Sequence, residues 1–303
     1  MKHILCIDVG GTNIKIGVFT FEKKLIKKYM IPTIIEKGEN KKFVINQLIT
    51  LIKDEMNFYD LESVGIGMPG PVDNGVLLGA HNLNLNKINL LNNLKAEFPN
   101  LKIKIINDAN AACLGEAKRG SGISYNNIVL LTIGTGIGCG IFLNNNIVEG
   151  SWGSAGEAGH MCVEVNGKLC GCGKSGCLEK YASCDAIIST ASDIYSKYNI
   201  SVNDLSCEQI FSEYEKGFAP AIETVKKTIY YLAMGIGNII NVINPDAVII
   251  GGGLSNAGEM LLNPVKYYLH EFTFYTVKKT PILIAKLKND AAIYGLSELN
   301  YDW

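Results

Sequence analysis

Along the chain, short continuous apolar runs trade places with apolar residues at helical spacing, and that exchange predicts an α/β protein. Residues 4–9 form a continuous apolar run that carries Asp8 and ends in Gly10-Gly11-Thr12-Asn13. Residues 14–19 resume a strand pattern and residues 25–31 add a third strand. Val44, Leu48, Leu51 and Ile52 mark a helix over residues 43–56. Residues 63–67 read as a short buried strand running into the Met68-Pro69-Gly70-Pro71 turn. A strand over residues 102–106 meets Asn107-Asp108-Ala109-Asn110 and then a small-residue helix through Ala117. In the second half, a strand at residues 128–133 is followed by Gly134-Thr135-Gly136 and another strand pattern. Helical spacing covers residues 185–198, 207–216 and 219–242, the last stopped at Asn244-Pro245. A buried strand at residues 247–250 ends in Gly251-Gly252-Gly253 and opens onto a helix. A strand at residues 282–287 and a helix at residues 290–299 close the pattern.

Three junctions in this pattern carry candidate chemistry. The tip between the first two strands is nearly all backbone, so its successive N–H groups make an anion-binding concavity, and Asp8 beside it is placed to hold a divalent cation that bridges phosphates. An ordinary glycine-rich hairpin fits the same residues. Asp108 stands at the carboxyl end of a strand, where open α/β sheets place ligand chemistry, but Asp is also favoured there simply as a helix cap. Repetition changes the balance. Ile7-Asp8-Val9-Gly10-Gly11-Thr12 with Ile16-Gly17-Val18-Phe19 matches Leu131-Thr132-Ile133-Gly134-Thr135-Gly136 with Cys139-Gly140-Ile141-Phe142. A phosphate-cradling hairpin used twice implies two similar α/β lobes closing on one cleft. The three glycines at 251–253 leave backbone open for a flat ligand such as a nucleoside.

Composition narrows the classes. A chain of 303 residues with a formal charge of −1 and 48% apolar residues can bury large cores and gives no electrostatic reason to meet nucleic acid or an anionic membrane. No apolar run is long enough to span a bilayer and none reads as a leader, so the expectation is a soluble, cytoplasmic protein. The nine cysteines, an odd number, are expected as reduced thiols. Six of them (Cys6, Cys113, Cys139, Cys162, Cys184, Cys207) read as buried small hydrophobes, with Cys162 and Cys184 near enough to the rest to act as decoy ligands. The other three, Cys170, Cys172 and Cys177, lie among glycines ten and more residues after His160. One imidazole and three thiolates are the donor set of a closed tetrahedral zinc site. Four protein ligands leave no open position, so the ion is expected to be structural. Glu157 and Glu179 flank this stretch and are not needed by the metal.

The motifs that carry these readings resemble the ROK family (repressors, open reading frames, kinases). They are Asp8-Val9-Gly10-Gly11-Thr12-Asn13-Ile14-Lys15, Gly67-Met68-Pro69-Gly70-Pro71-Val72, Asn107-Asp108-Ala109-Asn110-Ala111-Ala112, Thr132-Ile133-Gly134-Thr135-Gly136, Gly156-Glu157-Ala158-Gly159-His160 and Cys170-Gly171-Cys172-Gly173-Lys174-Ser175-Gly176-Cys177-Leu178-Glu179. They follow one another in family order over the whole chain. Departures are Ala158, where a larger apolar residue is common, and His81, where proline is common.

The resemblance implies the actin-like, sugar-kinase (ribonuclease H-like) fold, with two α/β lobes around an ATP cleft. It places residues 1–118 plus 290–303 in a small lobe and residues 119–289 in a large one, joined near Arg119-Gly120. It implies transfer of the ATP γ-phosphoryl group to the 6-hydroxyl of a hexose. Glucose is the first acceptor expected; N-acetylmannosamine, N-acetylglucosamine and fructose are the runners-up. Asp108 would be the general base. Gly70, Asn82, Asn107, Asp108, Glu157, His160 and Glu179 would contact sugar. Asp8 would hold Mg²⁺; Gly10, Gly11, Thr12, Asn13, Thr132, Gly134, Thr135 and Gly136 would receive phosphates, and Gly251, Gly252 and Gly253 the adenosine. Lys15 either helps neutralise phosphate or is a solvated strand lysine. A homodimer is implied as well. A sugar-responsive repressor is the alternative from a different class; the first hairpin begins at His3, which leaves no room before it for a DNA-binding domain and makes that alternative the weaker.

Overall fold

The computed structural model describes residues 1–34, 40–80, 83–201, 204–277 and 279–301. Its first five-stranded sheet runs in the order β3-β2-β1-β4-β8 and its second in the order β11-β10-β9-β12-β13. In the first, β1 (Lys2–Val9) pairs antiparallel with β2 (Asn13–Thr20) and parallel with β4 (Asp60–Met68). Beyond these, β3 (Leu25–Pro32) extends the antiparallel edge and β8 (Lys102–Asn107) the parallel one. The second sheet repeats the arrangement. Its β9 (Ile128–Ile133) pairs antiparallel with β10 (Ile137–Leu143) and parallel with β12 (Ala247–Gly251), flanked by β11 (Asn146–Ile147) and β13 (Ile282–Ile284). The duplication expected from the two hairpins is therefore a duplication of whole sheets. Sidedness follows the sequence: β1 and β12, covered on both faces, are continuous apolar runs, whereas edge strand β3 alternates half-buried and exposed positions.

The helices begin and end on chemistry the sequence displays. Helix α1 (Asn40–Met56) lies between β3 and β4. The Asn107 side chain caps α3 (Asp108–Arg119) by accepting from the Asn110 N–H, so the cap is Asn107 and Asp108 is the first helical residue. Ser183 caps α5 (Cys184–Lys197) and Ser206 caps α6 (Cys207–Glu215) in the same way. Helix α7 (Ala219–Ile243) starts with Pro220 in its first turn and ends at Asn244, left-handed at φ +49°, ahead of Pro245.

Some expectations need correction. The strand expected at residues 282–287 stops at Ile284, because residues 285–290 leave the sheet to cross toward the other one. The glycine run opens first onto a 3-10 turn, Gly253–Ala257, and only then onto α8 (Glu259–Phe272). A small antiparallel sheet of β5 (Val72–Asp73), β6 (Val76–Ala80) and β7 (Leu85–Asn89), followed by α2 (Leu90–Glu97), went unrecognised, since its strands are too short to show a period.

Each sheet has its own apolar core, and a third core lies between them. That third core is built by exchange. Helix α3, which leaves β8 of the first sheet, packs on β9 and β10 of the second; α9 (Ala291–Ser297), which follows the second sheet, packs on β1, β2 and β4 of the first. The two helices cross where a Cβ on Gly295 would sit 1.8 Å from the Ala111 carbonyl oxygen and one on Gly115 would sit 2.1 Å from that of Ala291, so glycine is required by the closeness of the backbones. Among the described residues, no helix is long and apolar enough to cross a membrane.

Candidate active site

A cleft of about 750 Å³ opens between the carboxyl ends of the two sheets. One wall is the turn after β4, the end of β8 and the start of α3; the other is the β9–β10 hairpin, the loop after β11 and the cysteine-rich loop before α4 (Glu179–Ala182).

Asp108 sits at the bottom of the first wall, where β8 becomes α3. One carboxylate oxygen, Oδ1, accepts from the Ala109 N–H at 2.8 Å and from Asn107 Nδ2 at 3.1 Å. Asn107 Nδ2 also donates to the Gly70 carbonyl oxygen at 3.1 Å, so one amide ties the proline-rich turn to the head of the helix. Burial pushes the Asp108 carboxyl up to about 7, and the negative charges of Asp8 and, less, Glu157 add to the push against the bonds from the helix head. A carboxylate poised near neutrality at a helix N-terminus on a cleft can take up a proton.

Asp8 lies close by: a Cβ on Gly67 of β4 would touch both Asp8 Oδ1, at 3.5 Å, and the Asp108 backbone, at 3.7 Å. Burial raises the Asp8 carboxyl, and the ammonium of Lys15 opposes the rise from 3.4 Å across the β1–β2 ladder. Lys15 is not simply solvated; its Nζ also donates to the Asn289 carbonyl oxygen at 2.6 Å.

On the second wall, the His160, Cys170, Cys172 and Cys177 donor atoms all lie within 4.8 Å of one another. His160 Nδ1 is 3.7 Å from Cys170 Sγ, and Cys172 Sγ is 3.6 Å from Cys177 Sγ. A zinc ion about 2.3 Å from each sulfur of a tetrahedron spaces neighbouring sulfurs about 3.8 Å apart, so these two separations match a zinc site. Cys162 and Cys184, the decoys, stay outside the group. The carboxylates find separate places. Glu179 Oε1 accepts from the Cys170 thiol at 2.9 Å, and its Oε2 is the atom that a Cβ on Gly136 would meet at 3.0 Å. Glu157 Oε2 is 3.8 Å from His160 Nε2. The imidazole thus turns one nitrogen to the thiols and the other to the cleft.

Of the residues expected from sequence, Gly70, Asn107, Asp108, Glu157, His160 and Glu179 line the cleft together with Thr132, Gly134, Thr135, Gly136 and Gly252. Asp8, Gly10, Gly11, Thr12, Asn13 and Lys15 belong to the first hairpin and are not part of this lining; nor are Gly251, which is inside β12, and Gly253, which starts the 3-10 turn. Asn82 and His81 lie outside the described residues. Gly252 is left-handed at φ +77°, and a Cβ there would meet the Ile133 carbonyl oxygen at 2.4 Å, so the glycine run is pressed against the root of the second hairpin. Sequence reasoning missed Gly79, Ala80 and Leu85 from the small sheet and Gly153 and Ala155 from the loop after β11. None carries a reactive group, and only the fold shows that they shape the wall.

The model of the ROK family matches residues 4–302. The glucokinase of Halalkalibacterium halodurans is 34% identical over 310 aligned residues, covering 95% of this chain and 92% of that protein. The glucokinase of Thermotoga maritima is 32% identical, covering 98% of this chain and 96% of that one. The solved structure of a ROK family glucokinase from Streptomyces griseus in complex with glucose and AMPPNP superposes with a TM-score of 0.82, at 27% identity and over 98% of both chains.

Proposed function

The chain belongs to the ROK family, with its actin-like fold, and from that premise we propose that it is an ATP-dependent hexose kinase that phosphorylates the 6-hydroxyl of glucose. The observation that carries the reading is the buried, near-neutral carboxylate of Asp108 facing a second glycine-rich hairpin across one cleft. The glucokinase relatives, and the glucose and nucleotide analogue in the Streptomyces griseus protein, support the acceptor and the donor.

Phosphoryl transfer asks the protein mainly for positioning and charge stabilisation. As the sugar oxygen attacks the γ-phosphorus, Asp108 takes the hydroxyl proton; the new O–P bond forms, the bond to the β-phosphate oxygen breaks, and ADP leaves. A general base in this role is worth roughly 10²–10⁴-fold. Asn107 holds the Asp108 carboxylate and the Gly70 turn in one frame. Glu157, Glu179 and His160 Nε2 are assigned to the sugar hydroxyls. Gly10, Gly11, Thr12 and Asn13 from one hairpin and Thr132, Gly134, Thr135 and Gly136 from the other are assigned to phosphates, and Gly251–Gly253 to the adenosine.

Asp8 is the residue to hold Mg²⁺, which when bound neutralises phosphate charge; a buried carboxylate suits that ion, and Lys15 stands in its place as counter-charge otherwise. His160, Cys170, Cys172 and Cys177 would hold zinc, whose contribution when bound is to fix the shape of the loop. None of the nine cysteines is paired in a disulfide, which suits a cytoplasmic protein. We assign residues 1–118 plus 290–303 to one lobe and 119–289 to the other, and the working unit to a homodimer.

A coupled ADP-release assay with MgATP across glucose, N-acetylglucosamine, N-acetylmannosamine, mannose and fructose tests the proposal. The expected result is the highest kcat/KM with glucose. Turnover of an N-acetylhexosamine alone would reassign the acceptor, and no turnover with any of these sugars would overturn the kinase reading.

A further inference from the structure

Two segments of chain cross between the sheets: one follows α3 and the other follows β13 and leads to α9. Both run past the side chain of Glu116, on the third turn of α3, which has no exposed surface. Its Oε2 accepts from the Ser121 N–H of the first segment at 2.8 Å and from the Lys286 N–H of the second at 3.1 Å. Its Oε1 accepts from the Leu287 N–H at 2.7 Å. Ser121 Oγ donates to the Ile284 carbonyl oxygen at 2.6 Å, a second tie between the same two segments.

A buried carboxylate is costly unless its hydrogen bonds are satisfied, and an apolar side chain would fill the same space without that cost. What the carboxylate does that an apolar group cannot is gather N–H groups from two separate crossings onto one rigid element. That element is also the one that begins at Asp108, eight residues or about 12 Å along the axis from Glu116. Where α3 meets α9 the backbones touch at Gly115 and Gly295, and Ala111 and Leu114 of one helix share a buried core with Ile293 and Leu296 of the other. That packing joins the two helices to each other, and Glu116 joins the two crossings to them.

We propose that Glu116 is a positioning residue for phosphoryl transfer: it pins both crossings to the helix that carries Asp108, so that closure of the cleft turns about this clamp and sets the approach of Asp108 to the Gly134–Gly136 hairpin. The inference rests on the kinase reading above and adds to it the axis about which the two sheets move.

Glu116→Gln in the full chain tests it, because whichever way the amide turns, an N–H group faces a backbone N–H. Wild-type turnover of glucose with MgATP is measured first; its absence would count against the kinase reading and leave the clamp to be judged by scattering alone. The variant is then compared for kcat, KM, glucose Kd, melting temperature and the change in radius of gyration on adding glucose with AMPPNP. At a temperature well below its melting point the variant is expected to lose at least tenfold in kcat, to keep its glucose Kd within about threefold, and to lose most of the compaction. A kcat within twofold of wild type with full compaction, whatever the melting temperature, would overturn the proposal. Should Glu116→Gln fail to fold, Ser121→Ala removes the second tie and leaves the carboxylate in place. It is expected to lower kcat at least threefold at unchanged glucose Kd, and an unchanged kcat with unchanged compaction would overturn the proposal equally.

Discussion

Asp108 is where the chemistry of single residues is most exposed to test. Its replacement by Asn keeps the shape and the bond from the helix head but cannot take a proton, so Asp108→Asn is expected to lower kcat by at least 10²-fold while glucose Kd, read by calorimetry, stays within a few fold. Retention of more than a tenth of wild-type turnover would remove Asp108 from the role of base. The raised carboxyl also sets a direction for pH. A base must be ionised, and the free enzyme holds the Asp108 proton up to about 7, so kcat/KM for glucose is expected to climb with pH and level off above about 7. A cation on Asp8 cancels one of the repelling charges and can only move that rise downward, so a rise centred well above 8 would count against the assignment. The same shift bears on folding with the opposite preference: an acid raised in the folded state favours folding at low pH, and that contribution fades as pH climbs from the ordinary carboxylate range, near 4, to about 7.

At the scale of elements, the loop from Gly156 to Glu179 is anchored on the core through Ala158, Met161, Val163 and Leu178, by backbone bonds such as Val163 N–H to the Gly176 carbonyl oxygen at 2.8 Å, and by Lys168 N–H to Tyr181 Oη at 2.6 Å and Tyr231 Oη to Glu164 at 2.7 Å. The placement of His160 against Cys170, Cys172 and Cys177 is the part expected to depend on a metal. Purified protein should carry about one equivalent of zinc per chain, and stripping it with a chelator should weaken glucose binding at least tenfold while far-ultraviolet circular dichroism barely changes. Less than half an equivalent in protein that still binds glucose fully would dismiss the metal. Strands β1, β9 and β12 announced themselves because both their faces are buried, and the cysteine loop because its donor spacing has few other uses. The cap at Asn107 was read one residue late, since Asn and Asp are equally good caps and only the backbone shows which one turns into the helix. The small sheet was invisible because two- and five-residue strands have no period to read. Glu116 gave no signal at all: a glutamate in a helix looks like surface until the crossings that bury it are in view.

At the scale of the molecule, charge ties the two exchanged helices to each other and to the turn after β2. Glu298, just after α9, accepts from Lys23 at 2.7 Å and from Arg119, at the end of α3, at 2.5 Å. Burial works against its ionised form, but these bonds and charges outweigh that and hold its carboxyl below the usual range. A lowered acid stabilises the fold above its unfolded pKa and ceases to do so as pH falls through the folded one. Glu298→Gln is therefore expected to cost about 1–2 kcal/mol at pH 7, discounted for partly exposed partners, and progressively less below about pH 4. Equal losses at pH 7 and pH 3, measured by urea titration, would contradict this. The exchange of helices has a consequence for how the protein comes into being. The inner face of β1, with Ile4 and Cys6, is sheltered by α9, whose residues are added roughly 280 positions later. At about 5–20 residues per second, a ribosome leaves that face bare for roughly 14–56 seconds. The first sheet is thus the earliest part made and among the last to be finished, and for most of its synthesis the nascent chain must be kept from sticking to its neighbours.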